Sequence, residues 1–204
     1  MSSVRSSYIV FFDLATRLAA TPREYLWAHS FPFASKFMLR RSEVTRLQRT
    51  HVHIHDEPID FVQQPMITVE LQDNKSFAYR TQSVSYVLSE STGQYSPAAL
   101  SDKIALSHTQ GADSQWFFSL TSDFPERPYF AFFDQCIKTF KLENPAYASK
   151  RLVFHSLRAS EIVELFNAGV HIDIIRRKAR HARWSTTFDS YAAKAVALSR
   201  PPSL

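Results

Sequence analysis

Hydrophobic residues recur every three or four positions over most of this chain, which is the spacing of one face of a helix. The pattern predicts helices over residues 8–20, 22–27, 31–49, 98–108 and 129–142, and again from residue 154 onward. Within residues 31–49 the pattern breaks near Arg41, and Ser42 is the predicted N-cap of the helix that follows. Alternating or continuous apolar runs predict strands over residues 50–56, 66–71 and 77–88, the last of which holds either one strand or two. The predicted fold class is therefore α+β, mainly α, with a small antiparallel β-sheet between two groups of helices.

Composition narrows the class of protein. The 204 residues are 45% hydrophobic and 21% charged, which is the balance of a folded globular chain rather than a disordered one. This length suffices for one domain of ordinary size, or for one domain plus an arm. Lysine and arginine number 24 against 19 acidic residues, with many of the basic residues in the last third. Such an excess is compatible with nucleic-acid binding but is shared by many unrelated proteins.

Cysteine and glycine are scarce, and this excludes several kinds of site. Cys136 is the only cysteine, which excludes an intramolecular disulfide and a cysteine-built zinc site and favours a reducing, intracellular compartment. Three glycines are too few for the glycine-rich phosphate loops of P-loop and Rossmann proteins. No apolar run approaches the roughly 20 residues that span a bilayer, so we expect no membrane partner. The apolar start of the chain is short and interrupted by Asp13, which argues against a signal peptide.

Three histidines alternate along the first predicted strand. His51, His53 and His55 would share one face of that strand, and some zinc sites are built from histidines arranged in this way. A solvated or DNA-facing strand is the simpler interpretation, because no fourth ligand is evident nearby. A metal-dependent hydrolase on these histidines remains an alternative hypothesis, which stoichiometric zinc in the purified protein would favour.

A group of basic residues and one tyrosine lies between residues 154 and 191. His155 and Arg158 open a predicted helix that ends at Gly169, a second apolar patch leads to His181, and Tyr191 follows ten residues later. Cations and a nucleophile together suit a site that handles phosphate. Further basic residues surround them: Arg176, Arg177, Lys178, Arg180 and Arg183.

The order of these residues resembles the C-terminal catalytic core of the tyrosine recombinases, the phage-integrase family. The step from Arg158 to His181 matches the usual spacing of that family, whereas the step from His181 to Tyr191 is one residue longer. Arg180 stands where a glycine normally precedes the histidine. Arg183-Trp184-Ser185 is similar to a tract in the divergent recombinases of eukaryotic mobile elements, in which Trp184 would be a supporting residue.

Two tracts nearer the N-terminus carry the resemblance further. The tract that begins Met38-Leu39-Arg40 and continues to Val44 is similar to the first arginine box, with Arg40 at the arginine position and Glu43 as the supporting acid. Met38 replaces the common glycine of this box, a change that is tolerable where the backbone needs no positive φ. Lys75, at the predicted hairpin, is similar to the catalytic lysine of the family.

The resemblance implies a DNA strand transferase that works without metal or cofactor. Tyr191 would attack a DNA phosphodiester to form a 3′-phosphotyrosyl intermediate and release a 5′-hydroxyl. The energy of the broken bond would be kept in the new one, so rejoining would need no nucleotide. A phenol with a pKa near 10 needs help to act as this nucleophile at neutral pH.

The resemblance also assigns a role to the other five positions of the motif. Arg40 and Arg158 would hold the non-bridging oxygens, because a guanidinium matches a phosphate and stays charged. Lys75 would protonate the leaving oxygen as general acid. His155 would assist proton transfer at the tyrosine, and His181 would donate a hydrogen bond to the phosphate.

The implied partner is double-stranded DNA, on which we expect the protein to act as a homo-oligomer. An intracellular location follows, in the nucleus of a eukaryotic host and otherwise in the cytoplasm. The predicted DNA-binding residues are the basic ones outside the catalytic set: Arg41, Arg176, Arg177, Lys178, Arg180 and Arg183.

The predicted organisation is a helical segment over residues 1–30, a remnant of or lead-in to the DNA-clamping region of the family, followed by the catalytic domain over residues 31–204. Fewer than 40 residues precede the first arginine box, too few for the whole clamping domain. A catalytically inactive DNA-binding remnant of the same fold therefore stays open beside the recombinase. Type IB topoisomerases share the chemistry, but the integrase-like boxes favour recombinases.

Overall fold

A computed structural model describes residues 7–73, 80–87, 95–109 and 114–181 of the chain. The helices in these ranges are α1 (Ser7–Leu18), α2 (Pro22–Lys36), α3 (Arg41–Val44), α4 (Pro97–Thr109), α5 (Glu126–Glu143), α6 (Phe154–Asn167) and α7 (Ile172–Lys178). The strands are β1 (Val52–Ile59), β2 (Val62–Asp73) and β3 (Arg80–Val87). The predicted fold class is confirmed, because the described chain is mainly helical and carries a three-stranded antiparallel sheet.

Helix α2 is the central helix of the fold. It begins with a capping box, in which Thr21 Oγ1 accepts from the Glu24 backbone N–H and Glu24 Oε2 accepts from the Thr21 N–H, with Pro22 in the first turn. Every residue from 26 to 35 is buried, so the helix has no solvent-facing stripe along that length. A helix that is buried on all sides must be covered by neighbours, and α1, α4, α5 and α6 all pack against it.

The main core is rich in aromatic rings contributed by α1, α2 and α5. Phe11, Phe31 and Phe133 meet with ring centroids 5.1 to 6.0 Å apart, mostly edge to face. The hydroxyl of fully buried Tyr129 lies 2.7 Å from Ser30 Oγ, which satisfies its one polar group. Aromatic packing of this kind holds α2 in one orientation, and the end of α2 leads directly to Arg40.

The sheet has the order β1-β2-β3, with both pairs antiparallel. Its inner residues, such as Ile67 and Val69, are buried, while most of β1 is exposed. The predicted strand over residues 50–56 is corrected at its start, because Arg49–His51 form a 3-10 turn. The turn directly follows Gln48, which forms an isolated β-bridge with Trp116, and β1 begins at Val52.

The helix boundaries near the first arginine box differ from the prediction. Helix α2 continues through Trp27 to Lys36, because tertiary packing covers residues that show no helical stripe. The N-cap of α3 is Arg40, and Ser42 lies inside the first turn of that helix. Residue 30, at the predicted domain division, falls within α2, and the division itself stays a prediction. No helix in the described ranges is both long and apolar enough to cross a bilayer.

A second, smaller hydrophobic cluster lies where α2, α6 and α7 meet. It consists of Met38, Ile162, Ile175 and Ala179, all at most 1% exposed. Arg40 and His181, which each follow a member of this cluster by two residues, belong to the predicted site. The cluster therefore joins two parts of the site that are about 140 positions apart in the sequence.

Candidate active site

The end of α2 places Arg40. The Met38 N–H donates to Ser35 O at 2.9 Å and the Leu39 N–H donates to Ala34 O at 2.8 Å, which is the hydrogen-bond pattern of a Schellman motif. Met38 has a φ of +49°, the left-handed conformation that this motif requires at its turning residue. The condition under which methionine is tolerable at this position, a backbone without a positive φ, is therefore not met. An L-residue in this conformation costs roughly 1 kcal/mol, a strain that the burial of the Met38 side chain offsets.

The end of α7 places His181 in the same way. The Arg180 N–H donates to Arg177 O at 3.0 Å and the His181 N–H donates to Arg176 O at 3.1 Å, again the Schellman pattern. Arg180 is the turning residue, with a φ of +53°. Glycine is the usual residue at this position because it has no Cβ to strain. The two site residues Arg40 and His181 thus each follow a left-handed turn that contains no glycine.

Glu43 orients Arg40. Its Oε1 accepts from Arg40 Nη1 at 2.8 Å, and its Oε2 accepts from the Arg40 backbone N–H at 2.6 Å. The second bond is half of a capping box, with the acid three residues into α3 bonded to the N-cap N–H. Arg40 Nη2 also donates a long bond, 3.4 Å, to the backbone carbonyl of Arg180. The side chain of Arg40 remains 32% exposed, so part of its guanidinium faces solvent.

Arg158 is buried beneath these turns. It projects from α6, is 1% exposed, and donates from Nη1 to Met38 O at 2.7 Å and from Nη2 to Ala179 O. Both carbonyls belong to helix ends that have no further helical partner for them. Arg158 therefore ties α6 to the ends of both α2 and α7.

Two histidines lie in the field of the two arginines. Partial burial, followed by the charges of Arg158 and Arg40, lowers the pKa of His155 below its usual range. Burial, followed by the charges of Arg158, Arg40, His155 and Arg180, lowers the pKa of His181 to about 4. Both imidazoles are therefore neutral at pH 7, and a neutral imidazole can donate one hydrogen bond and accept another.

Four predicted site residues thus come together from three separate segments: Arg40, His155, Arg158 and His181. The two arginines make the surrounding charge positive, and the carboxylate bonded to Arg40, Glu43, already accepts three hydrogen bonds. Such an arrangement favours an anion over a cation. The structure brings these four side chains together, while their catalytic roles stay predictions.

Arg180 differs from its predicted place at a DNA surface. Its side chain is 3% exposed, with Nη2 donating to Met38 O at 2.8 Å and to Glu43 Oε2 at 2.7 Å. Nη1 donates to Phe37 O at 3.2 Å and more weakly to Lys178 O at 3.4 Å. The guanidinium is drawn inward because it finds a carboxylate and three carbonyls at the helix ends. Burial lowers the pKa of Arg180, and the charge of Glu43 opposes that shift.

The basic residues of α7 are partly engaged within the protein. Arg176 Nε lies 3.6 Å from Asp173 Oδ1, and the ammonium of Lys178 lies 3.9 Å from the ring centroid of Tyr86. Arg177 is exposed, and its Nε donates only a long bond of 3.4 Å to the Asp173 backbone carbonyl. Among these three, Arg177 has the most accessible charge for a phosphate.

Arg41 packs against α5. Its guanidinium carbon is 3.6 Å from the ring centroid of Phe130, and its Nη2 is 3.4 Å from Glu126 Oε1. The side chain is still 60% exposed, so stacking positions the charge without removing it from solvent. Its predicted role in DNA binding stays a prediction.

Four predicted residues lie outside the described ranges: Lys75, Arg183, Trp184 and Tyr191. The proposed lysine, the nucleophile and the tract around Trp184 stay predictions from the sequence.

The three histidines of the metal hypothesis do not share a strand face. His51 lies in the 3-10 turn, where its Nδ1 is 3.3 Å from the Gln48 N–H, while His53 and His55 are on β1. His53 and His55 each have a carboxylate 3.7 Å away. Across the part of the chain that the structure describes, no three histidine, cysteine or acidic side chains gather closely enough to hold a metal ion.

The fold is that of the tyrosine recombinases, and the resemblance stated from the sequence is confirmed at the level of fold. The XerH site-specific recombinase bound to palindromic difH substrate, in a post-cleavage complex, has a TM-score of 0.67 at 10% identity. The pre-cleavage complex of XerH with difH has a TM-score of 0.64 at 11% identity. Both alignments cover 95% of this chain and 50% of XerH, so the chain spans about half the length of that recombinase.

The XerA recombinase is a third structure with this fold. Its TM-score is 0.57 at 15% identity, and the alignment covers 97% of this chain and 64% of XerA. No protein-family profile matches the sequence, and no curated protein is similar to it in sequence. At these identities the comparison establishes a shared fold, and it leaves activity to be proposed.

Sequence reasoning missed the inward role of Arg180 and the left-handed conformation of Met38. One signal for both was present, since each occupies a glycine position of the resembling family. Two glycine positions filled by large residues indicate that side chains from elsewhere have to stabilise the turns. The groups that those side chains contact could not be predicted from the sequence, because Glu43 and Arg180 are 137 positions apart.

Proposed function

We propose that this protein is a DNA strand transferase of the tyrosine-recombinase type, which cleaves and rejoins DNA at specific sites. The observation that supports it best is the convergence of Arg40, His155, Arg158 and His181 on a fold shared with site-specific recombinases. XerH is bound to its difH substrate in two of these structures, and duplex DNA is the corresponding substrate here. A homo-oligomer on DNA and an intracellular location belong to the same proposal.

In the proposed reaction the Tyr191 hydroxyl oxygen attacks the phosphorus, and the bond from phosphorus to the 5′-oxygen breaks. The phenol proton leaves by way of His155, and the 5′-oxygen takes a proton from Lys75. The products are a 3′-phosphotyrosyl link and a free 5′-hydroxyl, so the number of phosphoester bonds is unchanged. Rejoining reverses these steps with a 5′-hydroxyl from the same or another strand.

Arg40 and His181 supply the groups nearest to the reacting phosphate in this proposal. The exposed part of the Arg40 guanidinium would bind a non-bridging oxygen, and neutral His181 would donate one hydrogen bond to it. A preorganised donor of this kind contributes roughly 3 kcal/mol to transition-state stabilisation. Glu43 supports this arrangement because it already orients Arg40 in the absence of DNA.

The burial of Arg158 favours a second candidate, a DNA-binding protein without strand-transfer activity. Its Nη1 and Nη2 both donate to backbone carbonyls, and the residue is 1% exposed. A phosphate contact from Arg158 would require its guanidinium to become accessible when DNA binds, because the residue is buried. In the inactive candidate the bonds persist, and Arg158 serves only to hold the helix ends together.

Covalent trapping separates the two candidates. The protein is mixed with a pool of nicked duplexes, from which the fragment with the free 5′-hydroxyl dissociates after cleavage. The mixture is then denatured and analysed by gel and mass spectrometry. We expect a DNA adduct on Tyr191 that is absent in Tyr191→Phe and retained in Tyr25→Phe, a control at an exposed tyrosine on α2. Salt-dependent duplex binding without an adduct would support the inactive candidate. Neither binding nor an adduct would overturn both.

A further inference from the structure

Arg180 occupies a helix end where a glycine would satisfy the backbone without strain. It is instead a left-handed arginine with a φ of +53°, and its side chain is 3% exposed. A residue that is strained and buried at once persists only when its surroundings stabilise it strongly. The surroundings in this case are the groups that hold Arg40.

The side chain of Arg180 reaches Arg40 through Glu43. Arg180 Nη2 lies 2.7 Å from Glu43 Oε2, while Glu43 Oε1 accepts from Arg40 Nη1 at 2.8 Å. One carboxylate is therefore shared by two arginines, and its position depends on both. Because the Glu43 side chain is 8% exposed, water cannot easily replace either partner.

The backbone of Arg180 contacts Arg40 directly. Its carbonyl accepts the 3.4 Å bond from Arg40 Nη2, and the next residue along the chain is His181. The left-handed conformation is what turns this carbonyl toward Arg40 and the following residue into the site. Arg180 thus holds Arg40 in two ways, through Glu43 and through its own backbone carbonyl.

The same guanidinium also fastens the turn that carries Arg40. Arg180 donates to the carbonyls of Phe37 and Met38, the last residues before the Leu39-Arg40 step. Arg158 donates to the same Met38 carbonyl at 2.7 Å. The turn before Arg40 is therefore held by two buried guanidiniums, one on α6 and one just after α7.

We infer that Arg180 is a positioning residue, which holds Glu43 and through it Arg40 in the geometry that engages an anion at the site. Its side-chain contacts make the turn rigid, whereas a glycine at the same position would have no side chain to hold it. The inference rests on the proposed function for its kinetic test, while its structural test needs no DNA. Arg180 itself does not contact the reacting phosphate.

Two variants and one control are suited to the tests. Arg180→Gly keeps the left-handed turn without strain and removes the whole side chain, the guanidinium included, so it is the variant best suited to fold. Arg180→Lys keeps a positive charge but loses the planar fork that spans Glu43 and two carbonyls. Arg17→Met removes an arginine that binds a different glutamate, Glu143, on helices that carry none of the site residues.

The structural test observes the Arg40 guanidinium by nitrogen-15 NMR in the DNA-free protein. In the wild type and in Arg17→Met we expect separate, slowly rotating Nη signals, because Glu43 and the Arg180 carbonyl restrain them. In Arg180→Gly we expect these signals to merge as rotation about the Nε–Cζ bond becomes fast. Unchanged Arg40 signals in Arg180→Gly would overturn the inference, whether or not the protein cleaves DNA.

The kinetic test measures single-turnover adduct formation on saturating nicked duplex, together with duplex affinity. We expect Arg180→Gly to slow the chemical step about ten- to a hundredfold while the dissociation constant changes less than about twofold. Arg180→Lys should recover part of the rate. A parallel loss of affinity, with the salt slope reduced by about one, would make Arg180 a phosphate contact and overturn the inference.

A third pattern would also overturn the inference, namely a lower melting temperature with an unchanged rate per folded molecule. That result would mean that the role of Arg180 is purely structural. If wild-type protein forms no adduct on any duplex, the proposed function fails. The Arg40 NMR signals then still decide the positioning role. Should Arg180→Gly not fold, the same measurements on Arg180→Lys carry the decision.

Discussion

Three of the described helices are followed by the same hydrogen-bond pattern but use different residues at the left-handed position. In the turn after α6 this residue is Gly169, with a φ of +77°, and an added Cβ there would meet no neighbouring segment within 4 Å. In the turns after α2 and α7 the residues are Met38 and Arg180, whose side chains are buried. The α6 turn is stable on local grounds alone, because glycine takes this conformation freely. The other two turns depend on contacts from distant segments, and both lead into the candidate site.

This difference indicates which turns depend on tertiary contacts for their stability. Strained backbone is tolerated where the surrounding contacts over-determine it, and such positions cluster at functional sites. At the α2 and α7 ends, the stabilising groups are Arg158, Arg180 and the cluster around Ile162 and Ile175. Changes to these groups should therefore have larger effects than changes at the α6 end.

The largest effect is expected from Arg158→Met, which keeps the length of the side chain but removes both guanidinium bonds. The Ala179 carbonyl loses a buried donor and the Met38 carbonyl loses one of two, so we expect about 3 kcal/mol of destabilisation. Urea denaturation measures this change. The control Arg177→Met removes an exposed arginine and should alter stability by less than about 0.5 kcal/mol. Equal effects of the two variants would contradict a clamping role for Arg158.

The next largest effect is expected at Met38, where two substitutions separate packing from backbone strain. Met38→Ala leaves a cavity in the small cluster and should cost about 2 to 3 kcal/mol. Met38→Gly removes one more carbon but relieves the left-handed strain, which is worth roughly 1 kcal/mol. We therefore expect the glycine variant to be at least as stable as the alanine variant, the reverse of the order in a helix interior. A glycine variant clearly less stable than alanine would show that the turn is not left-handed in solution.

A pH dependence follows from His181, which the α7 end holds next to the arginines. Its pKa is about 4 in the folded protein, because burial and the nearby positive charges disfavour its protonated form. The unfolded chain, with an ordinary histidine pKa near 6.5, binds the proton first as the pH falls. Stability contributed by neutral His181 is thus complete above pH 6.5 and is lost as the pH falls toward 4. Denaturation midpoints measured between pH 4 and 7 test this slope, which His181→Gln should make shallower.

The same histidine reports on the neighbouring turn. In Arg180→Gly one of the positive charges that act on His181 is gone, so its pKa should rise toward the ordinary value. An NMR titration of the histidine ring protons measures the shift. A pKa unchanged from that of the wild type would mean that the charge of Arg180 does not reach the His181 ring.

The smallest effect is expected at the α6 end. Gly169→Ala introduces left-handed strain but no collision, so it should cost only about 1 kcal/mol. Thermal unfolding measures this cost. Ala168→Gly, a change at the neighbouring C-cap position of α6, serves as the control. A cost above about 2 kcal/mol would show that this turn, too, has tertiary contacts that depend on its conformation.

The part of the fold that the sequence predicted correctly is the part governed by local pattern. The helical spacing of residues 129–142 and 98–108 anticipated α5 and α4 to within a few residues, and the three strands were expected in their observed order. The length of α2 was underestimated, because its residues are buried on all sides and so show no polar face to mark a helix. Periodicity reports which face meets water, and it fails where no face does.

Part of the candidate site was also predictable. The resemblance to the tyrosine recombinases selected Arg40, Glu43, His155, Arg158 and His181, which the structure brings together. The direction in which each arginine points was not predictable, since it depends on carbonyls and carboxylates from other segments. Arg180 was expected at a DNA surface and instead faces inward.

The sequence by itself determined which groups this protein has for binding an anion and where helices and strands begin to form, because both depend on residue type and short-range spacing. Tertiary structure alone decided that Met38 and Arg180 turn left-handed and that Glu43 is shared between two arginines. Those outcomes depend on contacts between segments about 140 positions apart, whose hydrogen bonds and burial outweigh the local preference for glycine at a helix end.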